Sequence, residues 1–322
     1  MVSLLFDVED PFSLDTDDAA MIVANTVADC GIRGTFCISG LKCRLLMERD
    51  RHDVLDALKP HCLGVHTDGH SLHPTTMEML EDKGWDNGVA AALESEGRAV
   101  DSFEKAFGRS PVCWGGGGNT WGPQITEACK QLGIRSVVYS QFAIPDRHVH
   151  EFIGVPSFST TGYLGEDNME DDAKTEQSIQ NAIKAVKECR SPWSEIFGGH
   201  PSRYRYTNFW DGPFFRGATP EVYVGPPRRD DDKFENCMKN LARSIKCLKE
   251  EFDIVGLDDV LTKSWHYRDL TASELDTITT QTEKNVRASA GWPPNKANLN
   301  TDKIVAETLK RIHTLRVAET CE

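Results

Sequence analysis

Apolar and polar positions along this chain fall into short blocks that alternate in character. Val2–Phe6 is a short, mainly apolar run that meets carboxylates at Asp7, Glu9 and Asp10, the pattern of a buried strand ending in a polar loop. Thr16-Asp17-Asp18 precede the apolar-periodic AAMIVANTVADCGI. That arrangement predicts a helix capped by Thr16, with aspartates at its positive end and a stop at Gly31. Gly34–Gly40 (GTFCISG) predicts a second strand, Val54–Leu58 a helix, and Cys62–Val65 a third strand running into His66. A helical period covers most of Thr76–Phe107, and Pro123–Leu132 predicts another helix. Strands are expected at Ser136–Tyr139 and Phe152–Val155, a helix at Gln177–Cys189, and a strand at Ser194–Phe197 leading into Gly198-Gly199-His200. Asp232–Phe252 predicts a long amphipathic helix and Ile254–Leu257 a final strand.

Strands alternating with helices predict an α/β fold with a parallel sheet or a (β/α) barrel. Past about Ser264 the pattern changes to a polar helix, a Trp292-Pro293-Pro294 break and a last helix at Asp302–Ala318. The expected division is a barrel over 1–262 and a helical C-terminal extension over 263–322.

Composition narrows the partners. The net charge of −14 repels phosphate backbones, so nucleic acid is not expected as a partner. No apolar stretch approaches the roughly 18 residues that a membrane-spanning helix needs. MVSLLFDVED has no basic leader or long apolar core, which makes the cytoplasm the expected location. The ten cysteines include no CxxC pair, so they are expected to be reduced core residues rather than zinc or redox motifs.

Chemistry gathers just after the predicted strands. Asp7, Glu9 and Asp10 follow the first strand, His66 and His70 the third, and His200 a late one. In a parallel α/β barrel the C-terminal strand ends share one face, where active sites are built. Residues at i and i+4 face the same way on a helical turn, so His66 and His70 can offer two imidazoles to one divalent ion. A carboxylate from the first strand end is the natural third ligand; His73 is a weaker alternative beside Pro74. Asp7 directly ends an apolar strand and is placed to take a proton from a bound water. His200, opposite, can donate one to a leaving group. The Gly115–Gly118 run fails both the GxGxxG and the GK[ST] patterns. It suits a loop whose backbone approaches substrate and offers N–H groups to an oxyanion, with Gly117 at its centre. Aromatic faces at Trp114, Trp121 and Trp210 suit stacking against sugar rings.

In order, these segments resemble the polysaccharide deacetylases with NodB homology, the fourth family of carbohydrate esterases. FDVED (Phe6–Asp10), GIRGTFCISG (Gly31–Gly40), LGVHTDGH (Leu63–His70), Gly108–Gln124 and IFGGHP (Ile196–Pro201) are similar to its successive motifs. HTDGHSLHP and HPSR…FWDG are also similar to members associated with surface-polysaccharide or O-antigen assembly. The resemblance implies a distorted (β/α)₇ barrel and hydrolysis of an N-acetyl group from an amino sugar. It implies a divalent metal ion, with zinc expected, held by His66, His70 and either Glu9 or Asp10. Asp7 would be the base and His200 the acid. An acetylated amino sugar in a glycan or glycan precursor would be the partner. Where the family carries an arginine that orients the base, this chain has Trp114; Arg203 or Arg109 would have to substitute. Ser71 stands where proline is common. These departures leave two alternatives: a related hydrolase of a non-sugar amide or cyclic imide, and a glycan-binding relative without turnover.

Overall fold

The structure is a computed structural model and describes residues 1–139, 142, 149–189, 191–212, 223–291 and 298–321. It opens with β1 (Val2–Val8), α1 (Leu14–Asp29), β2 (Thr35–Ile38), α2 (Gly40–Glu48), α3 (His52–Leu58), β3 (Cys62–Val65), α4 (Thr76–Leu80) and α5 (Trp85–Phe107). β4 (Cys113–Gly115), α6 (Pro123–Gln131), β5 (Ser136–Val138), β6 (Val149–Phe152), β7 (Val155–Phe158), β8 (Thr160–Tyr163) and α7 (Asp172–Glu188) follow. The rest holds β9 (Ser194–Gly199), α8 (Pro201–Arg205), α9 (Asp231–Glu251), α10 (Leu257–Val260), β10 (Trp265–Asp269), α11 (Ala272–Ala290), α12 (Asp302–Arg311) and β11 (Arg316–Cys321).

One sheet takes the order β10-β11-β6-β7-β5-β4-β3-β2-β1-β9-β8. From β8 to β7 neighbouring strands run parallel, and β6, β11 and β10 add antiparallel partners at one edge. The expected mixed α/β class is present. The seven-unit count is not, because eight described strands form the parallel run and the sheet order does not close on itself among the described residues.

The sheet curls, and strand alternation sorts its side chains into two cores. Leu4, Phe6, Phe36, Ile38, Leu63 and Val65 point outward and pack under the helices. Leu5, Cys37, Cys62, Cys113, Val138 and Phe158 point inward and meet one another inside the curl. On β1 the inward set is Ser3, Leu5 and Asp7, so the same parity that buries Leu5 delivers Asp7 to the inner rim.

Several expectations are corrected by tertiary context. Phe152–Val155 is the turn of the β6–β7 hairpin, with Ile153 and Gly154 at positive φ, rather than a strand. Thr76–Phe107 is two helices, because Asp82 sits at φ 56° and Gly84 caps the second. Ile254 makes an isolated bridge to Val2, and Leu257 already begins α10. Ser13, not Thr16, is the N-cap of α1, and the Thr16 hydroxyl turns back to the Ser13 carbonyl at 2.7 Å. The C-terminal segment is not only helical. The helix expected over Asp302–Ala318 stops at Arg311, and β10 and β11 extend the sheet. Ile278, Val286, Ile304 and Val317 join the outer core there. Trp292-Pro293-Pro294 lies outside the described residues. Among the described residues no helix is long and apolar enough to cross a membrane.

Candidate active site

The C-terminal ends of β1, β3, β5 and β9 open onto a cavity of about 800 Å³. Asp7, Glu9, His66, His70 and His200 all line it. Four segments far apart in sequence thus meet where their strands end. His66 and His70 converge without a helical turn, contrary to the spacing argument. The chain between them bends through Thr67 at φ 56° and His70 itself at φ 52°, which brings the ring centroids to 5.1 Å.

Glu9 is the centre of the arrangement. Its Oε2 lies 2.8 Å from His70 Nε2 and 3.3 Å from His66 Nε2, and all three side chains are buried. These ligand atoms lie within 4.8 Å of one another, so they form a group able to hold a metal ion. Two imidazole nitrogens and one carboxylate oxygen, with the cavity on the open side, match the donor set of a catalytic divalent site. Asp10 is not in the group. Its Oδ1 instead accepts from the Phe12 and Ser13 amides at 2.9 and 3.3 Å, closing the loop into α1. His73 pairs with Glu78 at 2.8 Å on the exposed side of the loop.

Asp7 and His200 approach each other beside Glu9, whose Oε2 lies 3.7 Å from His200 Nε2. Asp7 Oδ2 is 3.7 Å from His66 Nε2 and 3.9 Å from His200 Nε2. Burial raises the Asp7 carboxyl, opposed by His66 and His200. Burial disfavours the His200 cation, yet Glu166, Glu9 and Asp7 outweigh it and hold the imidazolium up to about 10. Burial would also raise Glu9, but His70 and His200 pull it well below the usual carboxylate range. His200 is oriented by Glu166, whose Oε1 lies 3.0 Å from Nδ1 while Oε2 accepts the His200 backbone N–H. The two glycines before it serve this aim. Leu5 pairs with Phe197 and Phe6 with Gly199, so Gly198 is an extra residue that kinks the strand. A Cβ on Gly198 would fall 2.3 Å from the Phe6 ring, and Gly199 takes φ 133° against Glu166.

Of the residues expected to bind substrate, none lines this cavity. Trp114 follows the inward Cys113, so strand parity turns its ring outward, where Nε1 donates to Glu96 Oε2 at 2.7 Å. Trp121 is buried against Phe142 and Phe152, with Nε1 donating to Thr126. Arg203 is buried, pairs with Asp167 and covers the Phe209 ring, and Arg109 donates to the Lys59 and His61 carbonyls. Gly117 lies behind His70, while Gly116 and Gly118 reach the cavity wall. The aromatic lining comes instead from Tyr139, Tyr163, Phe197 and Phe209.

The structure adds Tyr139 and Asp211, which the sequence did not single out, and it gives Trp210, expected to stack on a sugar ring, a buried place against Glu9 outside the cavity lining. Tyr139, just past β5, donates to Asp7. Trp210 donates to Glu9, and Asp211 accepts from Ser71 beside His70. Tyr139 was findable in principle, since it ends a predicted strand as Asp7 closely follows one. Glu166 opens a single 3₁₀ turn and Asp211 sits in a turn, each too short to carry a periodic signal.

No family model matches the chain, and no curated protein matches it in sequence. Solved structures do resemble it. A CE4 family pseudoenzyme from Bacillus anthracis gives a TM-score of 0.44 at 10% identity over 81% of this chain, which spans only 65% of the pseudoenzyme's length. A peptidoglycan N-acetylglucosamine deacetylase gives 0.46 at 12% identity, covering 82% of this chain and 88% of that one. A candidate polysaccharide deacetylase from Mycobacterium smegmatis gives 0.52 at 11% identity, covering 81% of this chain and 88% of that one. At that identity what this chain shares with the mycobacterial protein is its fold, over four-fifths of its own length.

Proposed function

We propose that this protein is a metal-dependent hydrolase that removes an N-acetyl group from an amino sugar. The observation that carries the reading is the meeting of Glu9, His66 and His70 with Asp7 and His200 in one cavity.

Glu9, His66 and His70 would hold a divalent ion, zinc by the donor set, which when bound supplies Lewis-acid polarisation of an amide carbonyl and of a water. Asp7 takes the proton of the attacking water as the carbonyl carbon becomes tetrahedral. The backbone at Gly116 and Gly118 lies on the wall where the developing oxyanion can be met by N–H donors. His200, held by Glu166, gives its Nε2 proton to the departing amine as the C–N bond breaks. The products are acetate and a free amino sugar. Tyr163, Phe197 and Phe209 offer aromatic faces to a sugar ring, while the carboxylates around the cavity favour a neutral or cationic substrate over an anionic one.

The test is acetate release from acetylated amino-sugar oligomers, with and without chelator, in the parent protein and in His66→Ala and Asp7→Asn. Release should be lost on chelation, return with zinc, and be absent in both variants. Undiminished release in both variants would overturn the proposal.

A further inference from the structure

Trp210 and Asp211 follow α8 by five and six residues and lie about 140 residues or more from the motifs they touch. Both are buried, at 0% and 2% exposure. Trp210 Nε1 donates to Glu9 Oε1 at 3.0 Å. Asp211 Oδ2 accepts from the Ser71 hydroxyl, and Ser71 Oγ lies 2.6 Å from His70 Nδ1. Two adjacent residues therefore grip two of the three members of the metal-holding group from behind.

The direction of the second chain follows from its end. A carboxylate only accepts, so the Ser71 hydroxyl gives its hydrogen to Asp211. The Ser71 oxygen must then accept from His70, which places the imidazole hydrogen on Nδ1. In the neutral ring that metal ligation requires, Nε2 is then the nitrogen left to bind, on the side where Glu9 Oε2 lies 2.8 Å away. Trp210 acts in the same sense on Glu9, because its N–H occupies Oε1 and leaves Oε2 turned to the histidines. Both contacts thus aim lone pairs at one point. His66 lacks such a partner, since its Nδ1 is buried without a hydrogen bond among the described residues.

We infer that Trp210 and Asp211, the latter through Ser71, are positioning residues that set the metal affinity of this site. The inference rests on the metal reading above, and it assigns the affinity to a relay that uses Ser71. Groups that orient metal ligands in this way typically change affinity by about 10- to 100-fold when removed.

The experiment uses the full chain stripped of metal and titrated with Zn²⁺ against a colorimetric chelator, with a thermal melt of each metal-free variant as a folding control. Ser71→Ala, Asp211→Asn and Trp210→Phe should each weaken Zn²⁺ binding about 10-fold or more while melting near the parent temperature. Ser71→Ala with Asp211→Asn should bind no more weakly than either single variant, because both cut one chain. Trp210→Phe with Asp211→Asn should multiply the two losses. The absorption of bound Co²⁺ should shift in each variant, a signature that looser packing alone would not produce. Parent-like Zn²⁺ affinity in Ser71→Ala and Trp210→Phe would overturn the inference, as would multiplying losses in the Ser71/Asp211 pair. A parent protein that binds no Zn²⁺ would instead remove the metal reading itself, and this inference with it.

Discussion

The Tyr139 hydroxyl donates a hydrogen bond to Asp7 Oδ1 at 2.7 Å, from the end of β5, four places along the sheet from the β1 strand that carries Asp7. The chain has Trp114 where the resemblance leads one to expect an arginine beside the base, and the hydrogen bond to Asp7 comes instead from Tyr139. Its ring is fixed edge-on to His66 and Phe197, so the hydroxyl has little freedom. Tyr139→Phe keeps the ring and removes only the contact. A hydrogen bond to a carboxylate is worth about 1.5–3 kcal/mol, so kcat for acetate release should fall roughly 10- to 100-fold with little change in KM. Zinc affinity should stay near the parent value. An unchanged kcat would show that Asp7 is held by other means.

Glu96 and Trp114 make a second prediction, on stability. Burial pushes the Glu96 carboxyl up to about 7, although the Trp114 N–H opposes this. A carboxyl raised on folding keeps its proton longer in the folded state than in the unfolded chain. Stability is therefore lost as pH rises from the ordinary value of 4.5 through 7. The shift corresponds to about 3 kcal/mol. Glu96→Gln retains an acceptor for Trp114 and has no charge to bury. Parent and variant should be equally stable in urea near pH 4.5, and the variant should gain up to about 3 kcal/mol by pH 8. A constant difference between the two across that range would exclude this origin.

How much was legible in the sequence follows from strand parity. Short, mainly apolar runs ending in Asp7 and His66 were readable because a strand buried on both faces carries few polar residues until it ends, Ser3 being the exception on β1. The same alternation, applied to Cys113-Trp114, turns Trp114 away from the cavity, so its place in the core was also derivable. Of the four histidines in His61–His73, strand ends separated the pair at the rim from the others. His61 lies under α1, donating to the Ala24 carbonyl at 3.0 Å, and His73 pairs with Glu78 outside. The contacts of Glu166, Trp210 and Asp211 were not legible, although Trp210 itself stood out as an aromatic, because such contacts depend on how the whole chain closes. β10 and β11 were missed for a related reason. β10 is only partly buried, so burial leaves no clear alternation along it.

Asp17 was expected to serve α1 only through its charge, yet it is wholly buried. Lys42 Nζ donates to its Oδ1 at 2.5 Å and to the Asp10 carbonyl at 2.6 Å, and Arg49 donates to Asp17 at 3.0 Å. Burial lowers the Lys42 ammonium from its ordinary value, with Asp17 and Asp10 opposing. Breaking a buried pair by removing one partner costs about 3–5 kcal/mol, because the other charge stays in the interior. Lys42→Met should lower unfolding stability by that order, as read from urea midpoints at pH 7. A loss near that of a surface pair, at most about 1 kcal/mol, would mean that Arg49 alone satisfies Asp17.

Gly117 offers a sharper test of the glycine run than the oxyanion role expected for it. A Cβ there would sit 2.5 Å from His70 Cδ2, 3.0 Å from Cγ and 3.1 Å from Nε2. Backbone and ring cannot both keep their places at those distances, and the ring is the freer of the two. Rotation of His70 would pull Nε2 away from Glu9 Oε2 and break its contact with Ser71 together. Gly117→Ala should therefore weaken Zn²⁺ binding about 10-fold or more, in line with the loss of other groups that orient metal ligands. Because the nearest atoms the added methyl meets all belong to the His70 ring, the melting temperature of the metal-free protein should change less than it would for a core substitution. Parent-like Zn²⁺ affinity in this variant would place the need for glycine elsewhere, in the approach of the backbone to substrate, and would be accompanied by a raised KM instead.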